Sequence, residues 1–215
     1  MSRIIAAFAY RYEPDWLVDQ LRENLSWVDG FAELDDRDRD EVWGVRRHRT
    51  HELMRIALAM EPDWIFYTAP DERLEDCAAR VLRRLSEKPH GRYSLALREM
   101  WTPDSYRVDG VWGAKRRSRF FRPGWKEGSR RVDLNIYHLK MIEPENRAER
   151  QRVHTLANSW DNKARGFAYM TDERGLRLEP IPEGRGFTPA YRPYAFDVRG
   201  SRPGLQVGKG TLNDA

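Results

Sequence analysis

Two carboxylates, Asp71 and Glu72, stand side by side just after a short apolar run, Trp64 to Thr68, with Pro70 breaking the chain before them. The run reads as a strand, so the acids fall at the carboxyl edge of a sheet, where α/β proteins bind ligands. Paired carboxylates there suit a hard divalent cation, which can in turn hold a diphosphate. A plainer reading competes. Leu74, Cys77, Ala78, Val81, Leu82 and Leu85 form one apolar stripe at helical spacing, and acids just before a helix oppose its dipole favourably.

Other residues invite chemistry. Asp35 and Asp36 end a second apolar run, Phe31 to Leu34. Glu99 continues the alternating apolar face of Tyr93, Leu95 and Leu97, where a carboxylate is costly unless it is used. Asp109 lies in the turn Asp109-Gly110-Val111-Trp112-Gly113, and glycine permits close backbone approach to a ligand. His138 shares a strand face with Leu134 and Ile136, which also suits a core histidine. Nine bases crowd residues 106–131, interleaved with Trp112, Phe120, Phe121 and Trp125. Such a block suits a phosphate backbone with stacked bases, a smaller phosphorylated acceptor, or a solvated loop.

The elements that must position these groups follow from periodicity. Arg3 to Tyr10 reads as a buried strand, and Pro14 opens a helix as its N1 residue, with Leu17, Leu21 and Leu25 on one face. Thr50 reads as the N-cap of a helix that Pro62 ends. Strand and helix therefore alternate three times through residue 90, which argues for a parallel α/β sheet. Beyond Pro89, extended pieces around 93–101, 118–121 and 134–139 point to a mixed second half, and Pro144 starts another helix. Arg199 to Ala215 holds too few apolar groups to pack and reads as mobile.

The 215 residues fit one sizeable domain, with net charge +4 and a wet surface at mean hydropathy −0.82. A single cysteine, Cys77, excludes an internal disulfide and fits a reducing, cytoplasmic setting. No apolar run reaches the roughly 18 residues needed to span a bilayer.

The N-terminal half resembles the nucleotide-sugar glycosyltransferases of the GT-A fold, especially the large inverting family 2. Strand one ends in Tyr10-Arg11-Tyr12-Glu13, where the family carries a Tyr-Asn-Glu-like turn. Strand two ends in Asp35-Asp36 with Asp38 and Asp40 behind, like the family's Asp-Asp-Gly-Ser-x-Asp turn. The Trp64–Glu72 stretch matches an apolar strand followed by Asp-x-Asp-Glu. The resemblance implies a three-layer, Rossmann-like GT-A sandwich with a mixed sheet over residues 1–170. Residues 1–90 would be the nucleotide-sugar half and 91–170 the acceptor half. Residues 171–215 would be a Gly/Pro-rich C-terminal extension with a mobile tail.

It further implies sugar transfer, of the inverting kind, from a nucleoside-diphosphate donor of UDP type to a soluble acceptor such as a protein, a glycan or DNA. Tyr10, Arg11, Asp35, Arg49 and Asp71 would bind the donor, Asp35 through the uracil ring. Asp71 and a late histidine, His138, would ligate Mn or Mg, so the two side chains should meet, with Glu72 turned to the helix start or a basic partner. Glu99, or second Asp109, would serve as general base, and Trp101 and Trp112 as sugar-stacking walls. Two departures stand out: Ala69 replaces the first aspartate of the Asp-x-Asp pair, and Arg11-Tyr12 replaces Tyr-Asn. The first leaves open a metal-independent enzyme or a silent protein that keeps the fold. The basic block keeps open a nucleic-acid-binding protein.

Overall fold

The computed structural model describes residues 2–37, 46–157 and 167–195. Strand β1 (Ile4–Tyr10) is followed by α1 (Asp15–Asn24), β2 (Gly30–Asp35), α2 (Arg46–Ala59) and β3 (Trp64–Tyr67). Then come β4 (Glu72–Leu74), α3 (Ala78–Ser86), β5 (Arg92–Glu99), β6 (Ser105–Arg107), β7 (Arg116–Phe121) and β8 (Arg130–His138). The described chain closes with α4 (Pro144–Ala157) and β9 (Leu178–Pro180). Seven strands form one mixed sheet in the order β2-β1-β3-β7-β5-β8-β4, and β6 pairs with β9 in a small antiparallel ribbon.

β1 is apolar throughout because both of its faces are covered. Ile4, Ala6 and Phe8 meet Val18 and Leu21 of α1 and Leu82 of α3 on one face. Ile5 and Ala7 meet Leu53 and Ala57 of α2 on the other. β2 and β3 flank β1 in parallel, so the three strands end on the same side of the sheet. β7 runs antiparallel between β3 and β5, while β8 lies parallel to β5.

Three element boundaries differ from the sequence expectation. Pro14 is the N-cap of α1, its extended backbone one residue outside the helix. α2 begins by Arg46, so Thr50 lies inside it; the charged run before Leu53 hides the start. Asp71 and Glu72 do not open a helix. Glu72–Leu74 is a strand, antiparallel to Ile136–His138, and α3 starts only at Ala78. The outer edge of β4 is closed by Asn24: Leu74 N–H donates to Asn24 Oδ1 at 2.8 Å, and Asn24 Nδ2 donates to the Leu74 carbonyl at 2.9 Å. An amide side chain thus stands in for a neighbouring strand. Asn24→Ala is expected to cost about 1–3 kcal/mol in denaturant unfolding, since two backbone groups lose their partners.

The described part of the C-terminal extension packs on the sheet. The Gly186 carbonyl accepts from Asp76 N–H at 2.9 Å, and Arg185 pairs with buried Glu75. Residues 199–215 lie outside the described residues, as do Asp38 and Asp40. Among the described residues no helix is long and apolar enough to cross a membrane.

Candidate functional site

The ends of β1, β2 and β3 place three acidic turns side by side. After β1, Glu13 closes its own turn: Oε2 accepts from the Arg11 and Tyr12 amides at 3.0 and 3.1 Å. Its other oxygen, Oε1, faces Lys140 Nζ at 3.4 Å. After β2, Asp35 points to solvent and is forked by Arg37, whose guanidinium lies over the Tyr10 ring. Asp36 points inward instead. It is gripped by Arg11 at 2.8 Å and by Arg49 at 2.9 Å. Strand alternation carries this signal, because Ala32, Leu34 and Asp36 share one parity and are all buried. Tyr10, Arg11, Asp35 and Arg49 are therefore neighbours, with Asp36 at their centre.

After β3 the chain is tied down by Glu72. Its Oε2 accepts from the Thr68 hydroxyl and the Ala69 amide, and Arg119 pairs with Oε1. Beneath it Arg73, fully buried, donates to the Pro70 and Glu72 carbonyls and to the Leu17 carbonyl of α1. Burial, partly offset by Asp71, pulls this guanidinium down to about 10. The turn is thus fixed by Glu72 and Arg73, and the Asp71 carboxylate faces other partners.

Asp71 is 2 % exposed, and what it meets arrives from β8 and the turn after it. His138 Nε2 lies 3.3 Å from Asp71 Oδ2, and Lys140 Nζ lies 3.0 Å from the same oxygen. On its other side the imidazole meets Glu99: Nδ1 to Oε2 is 2.6 Å, across the β5–β8 register that pairs these two residues. Glu99 Oε1 is held by Lys115 Nζ at 3.0 Å, and Arg150 stands 3.8 Å from Oε2. The result is a buried chain of alternating charge, Glu13, Lys140, Asp71, His138, Glu99, Lys115.

Burial by itself would push the His138 proton off, but the Glu99 and Asp71 carboxylates outweigh it and raise the imidazole to about 9. It is a cation at neutral pH, donating from both nitrogens. Burial would raise Asp71, yet Lys140 and His138 hold it well below the usual carboxylate range. Glu99 is likewise held low against burial, by His138, Arg150 and Lys115. Lys115 is lowered by burial, and Glu99 offsets this only in part.

This geometry corrects the metal expectation. Among the described residues no group of three or more His, Cys, Asp or Glu side chains could hold an ion, so Mn or Mg at Asp71 and His138 is not retained. The physical reason is that Asp71 is salted to both His138 and Lys140, and His138 is held on its other side by Glu99. A protonated imidazole has no lone pair to give. The ammonium of Lys140 was missed because a lysine in Leu139-Lys140-Met141 looks like a surface residue.

The other expectations divide. Asp109 is taken by the Arg107 fork, both contacts at 2.8 Å, and by the Arg177 amide, which commits it away from Glu99 and His138. Trp101 and Trp112 are buried with Met141 and Met170, with the Arg107 guanidinium over both rings, so they do not offer open stacking walls. Much of the basic block is spent inside. Arg107, Lys115 and Arg119 pair with carboxylates, and Arg116 and Arg122 donate to backbone carbonyls. Phe120 is core, whereas Arg117, Lys126, Arg130 and Arg131 remain exposed.

A cavity of about 520 Å³ opens beside the β1 turn, lined by Arg11, Tyr12, Glu13, Trp16, Arg192 and Tyr194 among others. Arg192 stacks on Trp16, 4.6 Å from guanidinium carbon to ring centroid. The Tyr194 hydroxyl is buried without a hydrogen-bond partner among the described residues, and burial, then Asp71 and Glu13, push it well above its ordinary range. Aromatic faces and guanidinium groups make a wall suited to an aromatic anion. Compared with protein-family models the chain matches none, and compared with curated proteins it again finds no match.

Proposed function

We propose that the chain is a glycosyltransferase of the GT-A kind, taking a sugar from a nucleoside-diphosphate donor and neutralising the departing diphosphate with fixed side-chain cations. One observation carries the reading. Asp71 at the end of β3 and His138 at the end of β8, 67 positions apart, meet at 3.3 Å behind a cavity formed at the ends of parallel strands. Nothing local brings them together. The sheet order supports the same reading: a parallel β2-β1-β3 half is joined through antiparallel β7 to a second half.

In this proposal the aromatic walls Tyr12 and Trp16 take the base, and Arg11 and Arg192 face the phosphates. Lys140, one residue behind the cavity wall at Glu13, adds positive charge that needs no reorganisation as the leaving group develops its charge. Asp71 keeps Lys140 and His138 in place. Glu99 is the base we assign, because among the described residues Oε1 is held by Lys115 alone while Oε2 orients His138. Asp109, committed to Arg107, is not needed.

Thermal-shift screening of nucleoside diphosphates and nucleotide sugars tests this. A donor at one hundred times its Kd should add about 2.7 kcal/mol, or roughly 5–10 °C in Tm. The shift should survive EDTA. Arg192→Ala, at an exposed position on the cavity wall, should remove most of it while costing only about 0–1 kcal/mol in urea. Silence across the panel sinks the transferase reading, and binding without donor hydrolysis or transfer leaves a silent relative of such enzymes.

A further inference from the structure

A second, smaller pocket of about 250 Å³ lies at the edge of the β7–β5–β8 part of the sheet. Its walls include Ala96, Arg98, Gly113, Lys115, Arg116 and Arg131, four cations and no acid. Strand register explains the convergence. Ala96 faces Arg116 across β5–β7, Ser94 faces Arg131 across β5–β8, and Arg98 is two residues on from Ala96 along the same face. Between the long basic side chains, Ala96 supplies only a methyl group, which leaves room.

These cations are aimed but mostly uncompensated. Arg116 is held by the Ser94 and Val132 carbonyls at 2.5 and 2.6 Å, which carry no net charge. Arg98 is held by Asn135 Oδ1 at 2.8 Å and by the Tyr106 ring. Among the described residues Lys115 alone of the four has a carboxylate within salt-bridge distance, Glu99, and it otherwise rests on the Trp112 ring, 3.8 Å from its centroid. Burial, then Arg131 and Arg98, lower the Arg116 guanidinium; the one acid that opposes this, Asp133, is exposed and bonded to Arg185. Guanidinium forks set around a small volume match the oxygens of a phosphate.

We propose that this pocket binds a phosphate monoester, whose dianion sits among Arg98, Arg116 and Arg131. The volume favours a single phosphorylated small molecule over a polymer, and the pocket walls, not the outlying Arg117 and Arg130, would hold it. The site itself does not depend on the transferase reading.

The test is direct titration of the full chain, without any donor, by calorimetry with inorganic phosphate and then a hexose phosphate. Saturable binding is expected, with the hexose phosphate at least as tight. Arg131→Glu, an exposed position, should weaken it at least tenfold, and Arg130→Glu, outside the pocket, less than twofold. No saturable binding up to about 10 mM phosphate overturns the proposal. So does equal weakening by both variants, which would mean diffuse surface charge. Tighter binding of a single-stranded oligonucleotide, with affinity falling log-linearly with salt, would assign the face to a polymer instead. Phosphate binding with no response to any nucleotide would spare this site while removing the transferase reading.

Discussion

Glu99→Gln is expected to lower the unfolding free energy by about 3–5 kcal/mol, the cost of leaving buried charges without their partner. The side chain keeps its size and loses only its charge, so cavity formation does not contribute. Three cations face the lost carboxylate: His138 at 2.6 Å, Lys115 at 3.0 Å and Arg150 at 3.8 Å. Guanidinium chloride titration with a two-state check reads the loss. A double-mutant cycle with His138→Gln should give a coupling of about 0.5–3 kcal/mol, because the second change removes a charge that the first left unpaired. A loss below about 1 kcal/mol, with no coupling, would mean that the network is hydrated and carries little of the fold.

The second large effect is a fall in stability on the alkaline side of neutrality. His138 binds its proton at about 9 when folded and at 6.5 when unfolded. Its contribution is therefore fully present below 6.5, is drawn down as the pH rises from 6.5 to 9, and is gone above that. At about 1.4 kcal/mol for each pH unit the difference is on the order of 3 kcal/mol. The groups facing the ring do not mask it. Asp71 and Glu99 are held low and stay ionised throughout this range. Lys115, lowered by burial, works weakly the other way by shedding an unfavourable charge at high pH. Tm measured from pH 6 to pH 9.5 should fall, and His138→Gln should flatten the curve. An imidazole titrating near 6.5 by NMR in the folded protein would contradict it.

Much of this site is legible in the residues, for reasons that differ from place to place. β1, β2 and β3 are short apolar runs ended by charge or proline, and such runs in a doubly covered sheet cannot easily be anything else. Glu99 is legible because it breaks an apolar face. That Asp71 and His138 meet is not written in any periodicity; the expectation came from resemblance alone. β4 was hidden since Leu74 lies on the same helical stripe as Ala78, and a three-residue strand depends on β8 and Asn24, both distant in sequence. Arg73 and Lys140 were hidden by their residue type, as basic side chains are rarely buried without a partner. The mistaken metal followed from that: the cation at Asp71 is supplied by the chain, and a carboxylate motif does not say which kind of cation answers it.

The chain of alternating charge also bears on the order of assembly. Glu13, Asp71 and Glu99 all precede His138 and Lys140, so a chain growing from its N-terminus makes the acids before their neutralising bases. Until β8 docks beside β5 and β4, burying Asp71 and Glu99 would strand two carboxylates in a low-dielectric interior. They must stay in water, and the far half of the sheet must stay open. Closing the sheet and discharging its acids are then a single step. A product truncated before His138 could not complete it, and would keep an acidic, unsealed strand edge open to capture by proteases or chaperones.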